Sequence, residues 1–226
     1  MCRVKYMSQN VKSRKASAGS SIRFTSLFRN WAHQAITYMD RGEFFLRITF
    51  ELAEILIVFF VLNWLLGSIF LSVIISTLGV HTFNWITNGN IWALWIFSFP
   101  GLKNPGEEKT CAYLDVMTDR LKRCPAVAGV AIFGSVSRNV WHDKSDIDIR
   151  ILRKPGTLNL FRAFLHTMRE RWLAMVHRQP LDLFLADSIA FLQRMRPDEK
   201  PVFLIKRDNR LEEAYPGISE TRLNQL

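Results

Sequence analysis

The sequence predicts an α/β domain preceded by an α-helical transmembrane segment, and three observations carry that reading. No Asp, Glu, Lys or Arg occurs from Ile55 to Leu102, a run of 48 residues. Downstream of it, short apolar segments that alternate with period two are interleaved with segments whose apolar residues recur at helical spacing. The charge is also uneven: residues 1–50 carry nine Lys or Arg against Asp40 and Glu43, whereas residues 103–226 carry 21 basic and 16 acidic residues. With 49% hydrophobic and 22% charged residues in 226, the composition excludes a disordered or low-complexity chain. Three cysteines, Cys2, Cys111 and Cys124, lack the paired spacing of a zinc site and are too few for a disulfide scaffold, so a reducing compartment is expected.

Three segments follow. Residues 1–50 form a basic, cytoplasmic N-terminal segment, with its stretch 8–21 rich in Ser and Lys and 22–50 carrying amphipathic helical potential. Residues 51–102 form the membrane region. A spanning helix needs about 20 apolar residues, and one strong span fits within 52–79. A weaker second span or re-entrant segment is expected at about 83–102, where Asn84, Asn88, Gly89 and Asn90 interrupt the apolar run beside Trp85, Trp92 and Trp95. Positive flanks on both sides favour a two-helix hairpin with both ends cytoplasmic, in the inner membrane. The same charges would suit nucleic acid, but the membrane already accounts for them, so nucleic acid is not an expected partner.

Residues 103–226 read as α/β. Glu107 to Lys122 and Leu158 to Arg178 are predicted helices, and Ser188 to Met195 a shorter one. Val127 to Phe133, Asp146 to Leu152, Pro180 to Leu185 and Pro201 to Lys206 are predicted strands.

The chemistry concentrates in Val130 to Ile151, VAIFGSVSRNVWHDKSDIDIRI. In a strand, residues two apart share a face, so Asp146, Asp148 and Arg150 lie on one side and Ile147, Ile149 and Ile151 are buried on the other. Adjacent carboxylates repel unless a hard divalent cation lies between them, and Mg²⁺ suits a site of one or two carboxylates plus substrate phosphates. Gly134 lets backbone approach an anion without a clashing side chain, and a helix starting at Ser135 would aim free N–H groups at a phosphate. Arg138, one turn on, would reach the same anion. Arg150, on the same face, reads as a structural partner of Asp148. His142, in a loop, and His166 and His177, on the long helix, lack ligand spacing.

Gly134-Ser135, a spacer of ten residues and then Asp146-Ile147-Asp148 resemble the signature of the nucleotidyltransferase superfamily related to DNA polymerase beta, most closely its minimal nucleotidyltransferases. Arg138 and the run Ser145-Asp146-Ile147-Asp148 extend the likeness, while Asn139 replaces a glycine frequent there. The resemblance covers about residues 107–206. It implies an α+β nucleotidyltransferase fold, a small mixed sheet with flanking helices, and a third carboxylate on a later strand. Asp182 in PLDLFL fits that place, and Asp187 is the fallback, although its position suits a helix N-cap.

The resemblance further implies transfer of a nucleoside monophosphate from an NTP to an acceptor hydroxyl with release of pyrophosphate. Asp146, Asp148 and Asp182 would hold two Mg²⁺ ions, and Gly134, Ser135, Arg138 and Arg150 would bind the phosphates. A membrane-confined acceptor, whether lipid, lipid-linked sugar or protein, is the first expectation, because tethering raises its effective concentration. A protein-modifying or antitoxin-type nucleotidyltransferase and a catalytically inactive membrane scaffold are the alternatives. The sequence leaves homo-oligomerisation open.

Overall fold

Every residue of VAGVAIF, Val127–Phe133 (β1), is buried, which places this strand in the middle of a sheet. The computed structural model describes residues 24–88, 104–138, 140, 145–195 and 199–221. The other strands are β2 (Ile147–Arg153), β3 (Leu181–Ala186) and β4 (Val202–Lys206), in spatial order β3-β2-β1-β4. β1 pairs antiparallel with both β2 and β4, and β2 pairs parallel with β3, so the sheet is mixed. The parallel pair requires a crossover, which is the helix α6 (Thr157–Val176; α4 and α5 are defined below).

One face of the sheet carries Val130, Ile132, Ile147, Ile149, Ile151, Leu183 and Leu185 and packs on α6 and on α4 (Glu107–Lys122) through Leu114, Met117, Leu121 and Phe164. On the other face, Ala131, Phe133 and Phe203 meet Leu192 of the short α7 (Ile189–Leu192) and Leu211 of α8 (Asn209–Ala214). The four predicted strands and the helices α4 and α6 thus form within two residues of their expected ends. The predicted Ser188 to Met195 helix shrinks to the four residues of α7, and its N-cap is Ser188 rather than Asp187. The helix α8 was not expected.

The apolar segment 51–102 differs from the sequence reading. No helix of spanning length lies within 52–79: α2 (Arg41–Leu66) ends at Gly67, which adopts a left-handed conformation (φ 63°) and donates its N–H to Asn63 O, and Ser68 caps the next helix, α3 (Ile69–Thr87), by accepting from Leu71 N. Gly at a helix C′ position followed by a capping Ser is a stop-and-start signal, and here it outweighs the apolar continuity. Residues 83–87, expected to open a second span, instead finish α3, and 89–102 lie outside the described residues. Among the described residues, α3 is the one helix long and apolar enough by itself to cross a membrane.

α2 and α3 run side by side and antiparallel. Glu51 accepts from His81 Nδ1 at 2.6 Å and Glu54 accepts from Asn84 Nδ2 at 2.7 Å. A further short helix, α1 (Phe24–His33), braces α3: Trp31 Nε1 donates to Thr82 Oγ1 at 3.1 Å, and Trp85 Nε1 donates to Asn30 Oδ1 at 2.8 Å.

The first turns of α2 belong to the packing of the α/β domain. Asp40 caps α2, its Oδ1 accepting from Glu43 N at 2.6 Å, and burial pushes its carboxyl up to about 6. Glu43, fully buried, forms an ion pair with Arg171 of α6 and accepts from Leu185 N of β3 at 2.7 Å. Arg171 Nε in turn donates to Leu183 O at 2.9 Å. β3 is an edge strand, and an edge leaves unpaired backbone groups; two side chains from α2 and α6 satisfy them. Phe50 of α2 packs on Phe161 and Phe164 of α6 at ring distances of 6.1 and 5.3 Å.

Candidate active site

Three strand ends meet on one edge of the domain. In the antiparallel register Phe133 of β1 faces Asp148 of β2, and in the parallel register Asp148 faces Asp182 of β3. The alternation of β2 buries Ile147, Ile149 and Ile151 completely and turns Asp148 and Arg150 to the other side. Asp146 immediately precedes the strand, and its carbonyl accepts from Ser135 Oγ at 3.4 Å. Gly134 opens a four-residue helix, α5 (Gly134–Ser137), with φ 73°, and a Cβ there would lie 2.2 Å from Asp148 Oδ2. Two constraints therefore exclude a side chain at Gly134: a positive φ and the carboxylate packed against its Cα.

The structure thus brings Gly134, Ser135, Asp146, Asp148 and Asp182 together. Asp187, the fallback, sits beyond the far end of β3, where it lines a cavity with Asp40, Arg41, Ser188 and Arg194. Arg138 follows α5, and its Nε donates to Gly134 O at 3.2 Å. Arg150 is 4% exposed, lies 3.8 Å from Asp148, donates to Asp182 O at 3.1 Å and stacks over Phe184 at 4.8 Å. These contacts tie Arg150 to Asp148 and to the start of β3. His142 lies outside the described residues.

The electrostatics follow from crowding. Burial is the main cause that pushes the Asp182 carboxyl up to about 7; Arg150 opposes the shift, while Asp148 and Asp146 add to it. Asp148 is raised as well, first by burial, with Arg150 opposing and Asp146 adding, and its carboxylate takes a hydrogen bond from the Asp182 side chain. Both carboxyls are held above the ordinary carboxylate range because burial and the neighbouring carboxylates outweigh the opposing charge of Arg150. A divalent cation would supply the missing compensation through oxygen donors. Among the described residues no group of three His, Cys, Asp or Glu side chains is already placed to hold a metal ion.

The sequence reading missed Glu199. Its side chain is 6% exposed, accepts from Gly134 N at 3.4 Å and pairs with Arg138 at 3.6 Å. A carboxylate thus occupies the donors assigned to a phosphate. No local motif marks Glu199; it arrives because β4 runs antiparallel to β1, with Val202 facing Ile132, so the residues before β4 lie beside the end of β1. The sequence reading also missed Arg171, whose guanidinium stacks over Phe184 at 5.3 Å, the ring that also carries Arg150.

Comparison with curated proteins returns no match to this chain. Residues 113–208, which contain every candidate site residue, match the family model of the nucleotidyltransferase domain.

Proposed function

We propose that the chain is a membrane-anchored nucleotidyltransferase that moves a nucleoside monophosphate from an NTP to an acceptor hydroxyl and releases pyrophosphate. The observation that carries this reading is the register of Asp148 opposite Asp182, beside the Gly134-Ser135 turn, within the matched segment.

The roles follow from the chemistry of each group. Gly134 N–H and Ser135 receive the distal phosphates and Arg138 balances their charge. Arg150 holds Asp148 and the backbone of β3 in place. Asp182, at the start of β3 beside Asp148, takes the proton of the acceptor hydroxyl. The acceptor oxygen bonds to the α-phosphorus, the bond to the β-phosphate oxygen breaks, and pyrophosphate leaves with the electron pair. Asp146, Asp148 and Asp182 would hold two Mg²⁺ ions, which when bound supply charge neutralisation on the triphosphate and acidify the attacking hydroxyl.

The exposed apolar surface of α2 and α3 supports anchoring at the cytoplasmic face of the inner membrane, with the acceptor a lipid, a lipid-linked sugar or a membrane protein. The test is transfer of label from α-phosphate-labelled NTPs, with Mg²⁺, by the purified chain mixed with membranes of its source. Label in the lipid, glycan or protein fraction with wild type, and its loss by at least about a thousandfold with Asp146→Asn/Asp148→Asn, is the expected outcome. No transfer with any nucleotide by a folded protein would favour a scaffold role instead.

A further inference from the structure

The α2–α3 pair is built inside out for water. Its interior stripe on α3 is Ser72, Ser76, Val80 and Asn84, at intervals of four residues, with Ser72 and Ser76 completely buried. Its exterior is Ile57, Phe60, Trp64, Leu65, Ile69 and Phe70, each 62–82% exposed. A protein partner would call for one apolar face with a polar rim. Here, between Ile55 and Val80, the outward side chains of both helices are apolar apart from Thr77, with small polar residues between the helices, which is how helices pack in lipid.

The length of the free part decides how far it reaches. α3 alone would cross a bilayer, but its last turns are committed: His81 and Asn84 bind α2, Thr82 and Trp85 bind α1, and Phe83 packs on Trp172 of α6 at 6.3 Å. Glu51 and Glu54 close the pair on the α2 side. Beyond this polar collar, Ile55 to Leu66 and Ile69 to Val80 leave twelve residues on each helix, about 18 Å at 1.5 Å per residue. The hydrocarbon core is about 30 Å thick. At the turn, Gly67 N donates to Asn63 O and Ser68 Oγ accepts from Leu71 N, so the backbone groups there are satisfied within the pair.

The outer face of α6 continues this surface. Phe161 touches Phe50 of α2, Trp172 touches Phe83 of α3, and Leu165 and Val176 are exposed on the same helix, which also exposes Arg162 and Arg169. Trp and Arg among apolar side chains suit the headgroup layer.

We propose that the α2–α3 pair enters a lipid bilayer from one face and turns back inside the hydrocarbon at Gly67-Ser68, with the outer face of α6 in the headgroup layer of the entry side. This rests on the membrane-anchored reading and adds its topology: the chain is monotopic in this region, and the active site is held at the surface it enters, where its acceptor must be presented.

The test uses the full chain with Cys2, Cys111 and Cys124 replaced by Ala, reconstituted into phospholipid vesicles. Reporter cysteines are Ser68→Cys, with Trp64→Cys as a second tip position, and Arg162→Cys on the domain side. Thiol attack needs a thiolate, which hydrocarbon disfavours. The expected result is that the protein floats with the vesicles and that Arg162→Cys reacts with a membrane-impermeant maleimide from one side. Both tip cysteines should react at least about tenfold more slowly from either side until detergent is added. Tip labelling from the side opposite Arg162→Cys means that the pair spans, which overturns the inference and leaves the anchoring intact. Tip labelling from the same side means that the pair lies outside the bilayer and also overturns it. Protein that fails to float overturns both readings.

Discussion

Glu199 and Arg138 form an ion pair at 3.6 Å while Glu199 also accepts from Gly134 N–H at 3.4 Å, so a carboxylate rests on the two groups proposed to bind the triphosphate. An incoming phosphate must displace it. Charge-assisted hydrogen bonds to the same donors make the two anions direct competitors. Glu199→Gln keeps the shape and removes the charge, and we expect the KM for NTP to fall by about three- to tenfold with kcat within about twofold, equivalent to about 1 kcal/mol of competition. Steady-state kinetics would check it; an unchanged or higher KM would mean that Glu199 serves the fold rather than the entry of nucleotide.

Gly134→Ala tests how closely the turn and the carboxylate are packed. The new Cβ would sit 2.2 Å from Asp148 Oδ2 on a backbone with φ 73°. Strain of this kind costs about 1–3 kcal/mol. Thermal unfolding should show that loss. Transfer activity should fall by about a hundredfold or more, because a shift of about 1 Å at reacting groups has that effect. Wild-type transfer by the variant would remove Asp148 from the proposed site.

The Asp182 carboxyl makes stability depend on pH in a defined direction. Its value lies near 7 in the fold against an ordinary 3.8, so between those values the folded chain holds a proton that the unfolded chain has released. Stability therefore declines as pH rises from about 4 to about 7 and levels off above. Asp182→Asn removes the buried charge and should be more stable than wild type by about 1–3 kcal/mol at pH 8 and equal to it near pH 3.5. Denaturant titrations at the two pH values measure the difference. Mg²⁺ should narrow it at pH 8 by stabilising wild type alone.

Glu43→Gln is expected to loosen the attachment of α2 to the sheet. Glu43 is fully buried, pairs with Arg171 and accepts from Leu185 N at 2.7 Å. Removing one partner of a buried pair strands the other charge and costs about 3–5 kcal/mol. The readout is twofold: a lower unfolding midpoint and faster amide exchange at Leu185. Arg171 also stacks on Phe184, which carries Arg150 at 4.8 Å, so transfer activity should fall in the same variant.

The sequence by itself determined the candidate site's neighbourhood along the chain. The alternation of Ile147, Ile149 and Ile151 against Asp148 and Arg150, the Gly134-Ser135 turn and the apolar flanks of Asp182 are local patterns, and period two assigns a side chain to a face without knowledge of the rest. Only the tertiary structure decided what approaches from elsewhere. The antiparallel pairing of β4 with β1 delivers Glu199 to Gly134, and the exposed backbone of β3 selects Glu43 and Arg171 as its partners. The break at Gly67-Ser68 was written in the sequence, but its consequence was not. A hydrophobic run reports how much apolar surface exists; where a helix stops and what its base is fastened to depend on caps and on polar contacts such as Glu51 with His81, made across thirty residues of chain.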